Sequence, residues 1–141
     1  MTSTPQKIYI VFKDTKILIS LEECKKLNTI HQAIEDMETE EVEFPMTEYS
    51  SEIFEIMITL IKYIISQKDK TVMQQELVQK ISVYSDEIVF NLVMMVNYLD
   101  QNEILQASCQ YISNEIKKCK NPEDVKIRFN ISISELVSEE K

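Results

Sequence analysis

The sequence predicts an α+β domain, with a small N-terminal sheet of two or three strands followed by about seven helices in series. Period-two alternation near the start, a full helical stripe in the middle and an almost wholly apolar helix beyond it carry that prediction. The strands come first. Lys7-Ile8-Tyr9-Ile10-Val11-Phe12 puts Ile8, Ile10 and Phe12 on one face, and Ile17, Ile19 and Leu21 repeat the period in a second strand. Between them Lys13-Asp14-Thr15-Lys16 is a turn without glycine, which favours a type I geometry over a primed one. Leu21 to Leu27 reads as a short helix, and Thr29-Ile30-His31-Gln32 as a capping box opening the next. The acidic run Glu35, Asp36, Glu38, Glu40, Glu41 and Glu43 is most simply a solvated loop, with an acidic docking patch as the minor alternative.

From Ser50 the pattern becomes helical. Ile53, Ile56, Met57, Leu60, Ile61 and Ile64 recur on one face, a full apolar stripe. Gln67 to Thr71 is a polar break, and Val72 to Ile81 is a weakly patterned helix. Ser85-Asp86-Glu87 caps the run Ile88 to Leu99, whose only polar positions are Asn91 and Asn97. At about a dozen residues this run is too short for a bilayer, which needs ~20. Such a helix belongs at the centre of a core, or between a core and a partner. After Asp100-Gln101-Asn102-Glu103 a helix from Ile104 to Lys118 aligns Leu105, Ser108, Cys109, Ile112 and Ile116, with Ile104 and Tyr111 flanking. Asn121-Pro122-Glu123-Asp124 opens another helix with an N-cap, a proline at the first position and two acids in the first turn. Ser132-Ile133-Ser134-Glu135 is a further capping box, with Ile131 and Leu136 placed for a hydrophobic staple.

Composition narrows the function. The 141 residues suit one domain with one core, and the net charge of −9 opposes nucleic-acid binding, which needs a basic footprint. An acidic surface favours basic protein partners. No membrane association is expected. Cys24, Cys109 and Cys119 are odd in number and widely spaced, as reduced thiols of the cytoplasm and nucleus would be. The first seven residues lack the apolar core of a signal peptide. Catalysis finds no support. His31 is the one histidine and has no ligand-spaced partner except Glu35, so a structural histidine outweighs a metal ligand or base. Cys24 and Cys109 sit among core-like residues and are expected to be buried and inert. Glycine is absent, which removes Gly-rich phosphate loops. No catalytic residue, cofactor or metal is assigned, and the chain is expected to be monomeric or weakly dimeric when alone.

One resemblance organises these elements. Asn97-Tyr98-Leu99-Asp100 after the apolar helix, and Asn121-Pro122-Glu123-Asp124-Val125-Lys126-Ile127-Arg128-Phe129-Asn130-Ile131 beyond it, resemble the Skp family, the adaptor subunits of SCF (Skp–cullin–F-box) ubiquitin ligases. The N-terminal order agrees: a strand pair, the segment Thr29 to Met37, an acidic break and Val42-Glu43-Phe44-Pro45. The resemblance spans roughly residues 7 to 136 and implies a BTB/POZ fold with a small sheet and surrounding helices, plus a C-terminal helical extension. It divides the chain into a Skp-like domain, 1–118, and an extension, 119–141, that meets an F-box. The implied function is a non-enzymatic adaptor linking F-box substrate receptors to a cullin. Asn97 and Tyr98 then lie on the cullin face, with Phe44, Pro45 and Tyr49 as further candidates near it. For Asn97, an internal cap at the helix end is an equal alternative on sequence alone.

The F-box helices would be gripped by Leu105, Cys109, Ile112 and Ile116 and by Val125, Phe129, Ile131 and Leu136, a helix-in-groove mode with aliphatic anchors. About half of these apolar residues are expected to finish the chain's own core instead. The chain departs from the family in lacking the Trp-Asp element before the buried helix and the closing tryptophan of the last one, since it holds no tryptophan at all. A divergent adaptor with reduced F-box affinity or repertoire is therefore expected. An Elongin C-like adaptor and a BTB homodimeric scaffold are the alternatives; the helices beyond Asp100 weigh against the first.

Overall fold

The computed structural model describes residues 7–37 and 39–129, with the backbone alone at 125, 126 and 129. Among these residues lie a three-stranded sheet and seven helices, the mixed α+β class expected. Strand β1 (Lys7–Val11) is central, antiparallel to β2 (Lys16–Ile19) and parallel to β3 (Glu41–Pro45). Ile8 lies opposite Ile19 on one side and Val42 on the other, which puts Ile8, Ile10, Phe12, Ile19 and Val42 in the core. The opposite face is wet: Lys16 pairs with Glu43 at 3.4 Å and sits over the Tyr9 ring, and Leu18 is exposed. The hairpin is tighter than expected. Phe12 N–H donates to Thr15 O at 2.8 Å, so the loop is Lys13-Asp14 alone. Asp100 is the one described residue with positive φ, so this loop is neither of the primed types.

Helix α1 (Leu21–Lys25) takes Leu21 out of the second strand because Ser20 stops it. Ser20 Oγ accepts the Glu23 N–H at 3.1 Å and Glu23 Oε1 accepts the Ser20 N–H at 3.0 Å, a capping box. The one expected at Thr29–Gln32 does not form. Helix α2 (Asn28–Ile34) begins at Leu27 with no side-chain cap, and Thr29 lies inside it with its hydroxyl committed elsewhere. Helix α3 (Ser51–Ser66), capped by Ser50, is the spine of the core. Ile53, Phe54, Met57, Ile58, Leu60, Ile61 and Ile64 are buried along it, and Phe54 packs on Phe12 with ring centroids 5.3 Å apart. Each such side chain contributes roughly 1.5–3 kcal/mol on burial. Helix α4 (Met73–Ile81) adds Met73, Leu77 and Ile81.

Helix α5 (Asp86–Leu99) rules out one of the two expectations held for it, a place at the centre of the core. Although apolar nearly all round, it is not enclosed. Val89, Leu92, Met95, Val96 and Leu99 are buried, whereas Asn91, Met94, Asn97 and Tyr98 face outward. Helix α6 (Asn102–Lys118) corrects another. Its core side is Ile104, Ala107, Ser108 and Tyr111, so of the expected stripe Ser108 joins the core, Leu105 and Ile112 pack partly buried against it, and Cys109 and Ile116 face outward. Cys109 is exposed for that reason, while Cys24 is buried as expected, its thiol pushed up to about 11 by burial.

Ser108 Oγ is buried without a hydrogen-bond partner. A buried hydroxyl left unpaired costs about 1–3 kcal/mol, and alanine is the better helix former. Ser108→Ala is therefore expected to raise the urea midpoint, by roughly 1 kcal/mol of stability; a lowered midpoint would mean the hydroxyl is paired.

Candidate protein-docking surfaces

Both surfaces are set by one polar junction. Helix α5 ends in a left-handed residue, Asp100 (φ 57°, ψ 51°), whose N–H reaches Asn97 O at 3.3 Å while Gln101 N–H reaches Val96 O at 2.9 Å. Glycine usually takes this position, and a non-glycine residue there bears a steric cost. Asn28 offsets it, donating from Nδ2 to Asp100 O at 2.9 Å and to Asp100 Oδ2 at 3.2 Å. Thr29 Oγ1 donates to Tyr98 O at 2.8 Å. Gln101, only 1% exposed, works in two directions: Nε2 donates to Lys26 O at 2.8 Å, and Oε1 accepts the Ile104 N–H at 3.0 Å, capping α6. The end of α5, the start of α6 and the α1–α2 corner are thus fixed together.

The first surface lies on the outer side of α5. With its backbone held by Thr29, the Tyr98 ring is 43% exposed and stacks on Tyr49, centroids 5.2 Å apart and planes 19° apart. Burial, then the facing Tyr98 and Glu48, raises the Tyr49 hydroxyl above its ordinary value, so it stays protonated at neutral pH. Beside the pair, Glu48, Tyr49, Ser50, Ile53, Asn91, Met94 and Met95 line an open cleft of about 260 Å³. Met94 is 67% exposed at its edge. Of the residues expected here, Tyr49 and Tyr98 are brought together, and Asn97 is exposed on the same helix. Pro45 is exposed at the end of β3, whereas Phe44 is partly buried against the core. Asn91, Met94 and Glu48 escaped the sequence reading. The signal was there, since Asn91, Met94 and Tyr98 share one helical face at i, i+3 and i+7.

The second surface is the outer stripe of α6. Leu105 and Ile112 are partly buried at its edge, Cys109 is exposed, and Ile116 is 41% exposed. Helix α7 (Pro122–Phe129) follows, capped as expected: Asn121 Oδ1 accepts the Asp124 N–H at 2.9 Å. Its Ile127 is 76% exposed. The side chains of Val125 and Phe129, and Ile131, Leu136 and the capping box at 132–135, lie outside the described residues.

Among the described residues no group of three or more His, Cys, Asp or Glu is arranged to hold a metal ion, and no helix is long and apolar enough to cross a membrane. His31 is half-buried on α2. What the two surfaces offer is apolar and aromatic area with polar edges, suited to another protein.

No family model matches the chain. Known proteins do. It is 33% identical over 67 residues to the E3 ubiquitin ligase complex SCF subunit sconC of Arthroderma benhamiae, across 48% of this chain and 40% of that protein. It is 36% identical over 53 residues to proteins of the same name from Aspergillus fumigatus and Talaromyces marneffei, across 38% of this chain. Over about half its length the chain is similar to a ubiquitin-ligase subunit. The matched segment spans less than half the length of each of these relatives.

Proposed function

We propose that this chain is a non-catalytic adaptor of the Skp type, linking an F-box substrate receptor to a cullin in an SCF-type ubiquitin ligase. The similarity to sconC subunits supports the complex, and the family resemblance read from the sequence supports the two partners. One observation carries the reading: Tyr98, with Asn97 beside it, is turned outward from the last turn of α5 and stacked on Tyr49. An apolar helix that leaves Met94 and an ordered, stacked Tyr98 in solvent bears the marks of a hot spot awaiting a partner. This is the face the resemblance assigns to a cullin.

The outer stripe of α6 supports a separate F-box site, with Leu105, Cys109, Ile112 and Ile116 as its described members and Val125, Phe129, Ile131 and Leu136 as its proposed continuation. The hairpin, the parallel third strand and the helices around them support a BTB/POZ core. Helix α6 ends at Lys118, in keeping with a boundary between a domain at 1–118 and an extension at 119–141. The net charge of −9 supports protein partners over nucleic acid, and such an adaptor would act in cytoplasm and nucleus.

Pairwise titration tests this. The chain should bind a purified F-box segment and a cullin N-terminal domain independently, and its scattering mass alone should be that of a monomer or weak dimer. A stable homodimer that binds neither would replace the adaptor with a BTB scaffold.

A further inference from the structure

The described helix α7 covers the eight residues Pro122–Phe129, and a stretch of that length needs tertiary support to persist. Arg128 ties it to the domain. The guanidinium meets Asp86 Oδ2 at 3.3 Å through Nε, Glu115 Oε1 at 2.6 Å through Nη2, and Tyr111 Oη at 3.5 Å. One planar cation therefore joins α7 to the first turn of α5 and to the C-terminal half of α6. Glu115 is no ordinary surface carboxylate. It is 9% exposed, and Lys118 approaches its other oxygen, Oε2, at 2.6 Å. Hydrogen bonds from Lys118 and Arg128 hold it below its ordinary value near 4.5. Isolated exposed ion pairs contribute little, but a fork donating to two carboxylates, one of them buried, is a stronger and more directional contact.

We propose that Arg128 is a positioning residue, its ion pairs with Asp86 and Glu115 pinning α7 beside α6 so that the Ile127 side of α7 and the α6 stripe ending at Ile116 meet F-box helices together. The partner half of this inference rests on the adaptor role proposed above. Pre-ordering α7 lowers the entropy lost when a partner binds. The groups facing Arg128 include Asp86 from α5 and Tyr111 and Glu115 from α6, with Lys118 behind Glu115. Burial, then Asp86 and Glu115, keeps the Tyr111 hydroxyl above its ordinary value, so the phenol takes no part in the acid response. Because the folded Glu115 value is depressed, the pin is fully present above about 4.5 and is lost as pH falls through the folded value.

Hydrogen exchange on the full chain tests the pin without any partner. Protection at residues 123–129 should fall about tenfold in Arg128→Met and recover in part in Arg128→Lys, with α3 unchanged. In the wild type that protection should also drop on the acid side, and Arg128→Met should show no such drop. Binding of an F-box segment should weaken about tenfold in Arg128→Met while cullin binding stays constant. Equal protection of residues 123–129 in wild type and Arg128→Met overturns the pin. A wild-type chain with the expected exchange pattern that binds no F-box segment overturns the partner half together with the adaptor role.

Discussion

Replacing Tyr98 and Asn97 together by alanine is expected to weaken cullin binding by about 2 kcal/mol, roughly thirtyfold, and to leave F-box binding intact. The expectation rests on how Tyr98 is held. Its carbonyl accepts from Thr29, a contact the substitution preserves, while its ring stands 43% exposed against Tyr49. Truncation therefore removes an ordered aromatic anchor and its stacking partner's support, worth about 0.5–1.5 kcal/mol for an aromatic pair, with little loss from the core. Asn97 is exposed, so its loss should cost stability little. Titration calorimetry with the cullin domain and a thermal melt of the same variant give the answer. A collapse of the melt with loss of both partners would make this face part of the core.

Gln101→Ala is expected to cost roughly 2–4 kcal/mol of folding stability, a large share of a small domain's total. Two groups lose their partners at once: the part-buried Lys26 O, and the buried Ile104 N–H at the start of α6. A lost helix cap alone costs about 1 kcal/mol, and the orphaned carbonyl adds its desolvation penalty. Gln101→Glu keeps the acceptor for Ile104 but turns an oxygen on Lys26 O in a site 1% exposed, so it too should fall below wild type. Denaturant midpoints order the three. An unchanged midpoint for Gln101→Ala would mean that water replaces both contacts.

Gln101 also marks the limit of what sequence reveals. Much that is rooted in local chemistry was legible: the alternation of β1, the stripe of α3, and the caps at Ser85 and Asn121, although the local box at Ser20 and Glu23 was missed. What was not legible depended on residues far apart in the chain. The capping motif read at Thr29 fails because that hydroxyl is drawn 69 positions away, to Tyr98, and Gln101 reaches 75 positions back to Lys26. The α6 stripe was misplaced by about one position for a related reason. Its apolar residues cover more than half the circumference, so periodicity alone could not say which side the core would claim. The same ambiguity hid the open side of α5. There the candidate site was half visible, since Tyr49 and Tyr98 were named but the stacking that joins them, and Met94 beside them, required the fold.

An adaptor bridges its partners, and capture of a cullin N-terminal domain on an immobilised F-box segment, with and without this chain, measures that bridge. Cullin should be retained only when the chain is present. With the Tyr98→Ala and Asn97→Ala variant, the chain itself should still be captured while cullin is lost. Cullin retained equally without the chain, or a chain captured by the F-box segment that never recruits cullin, would contradict it.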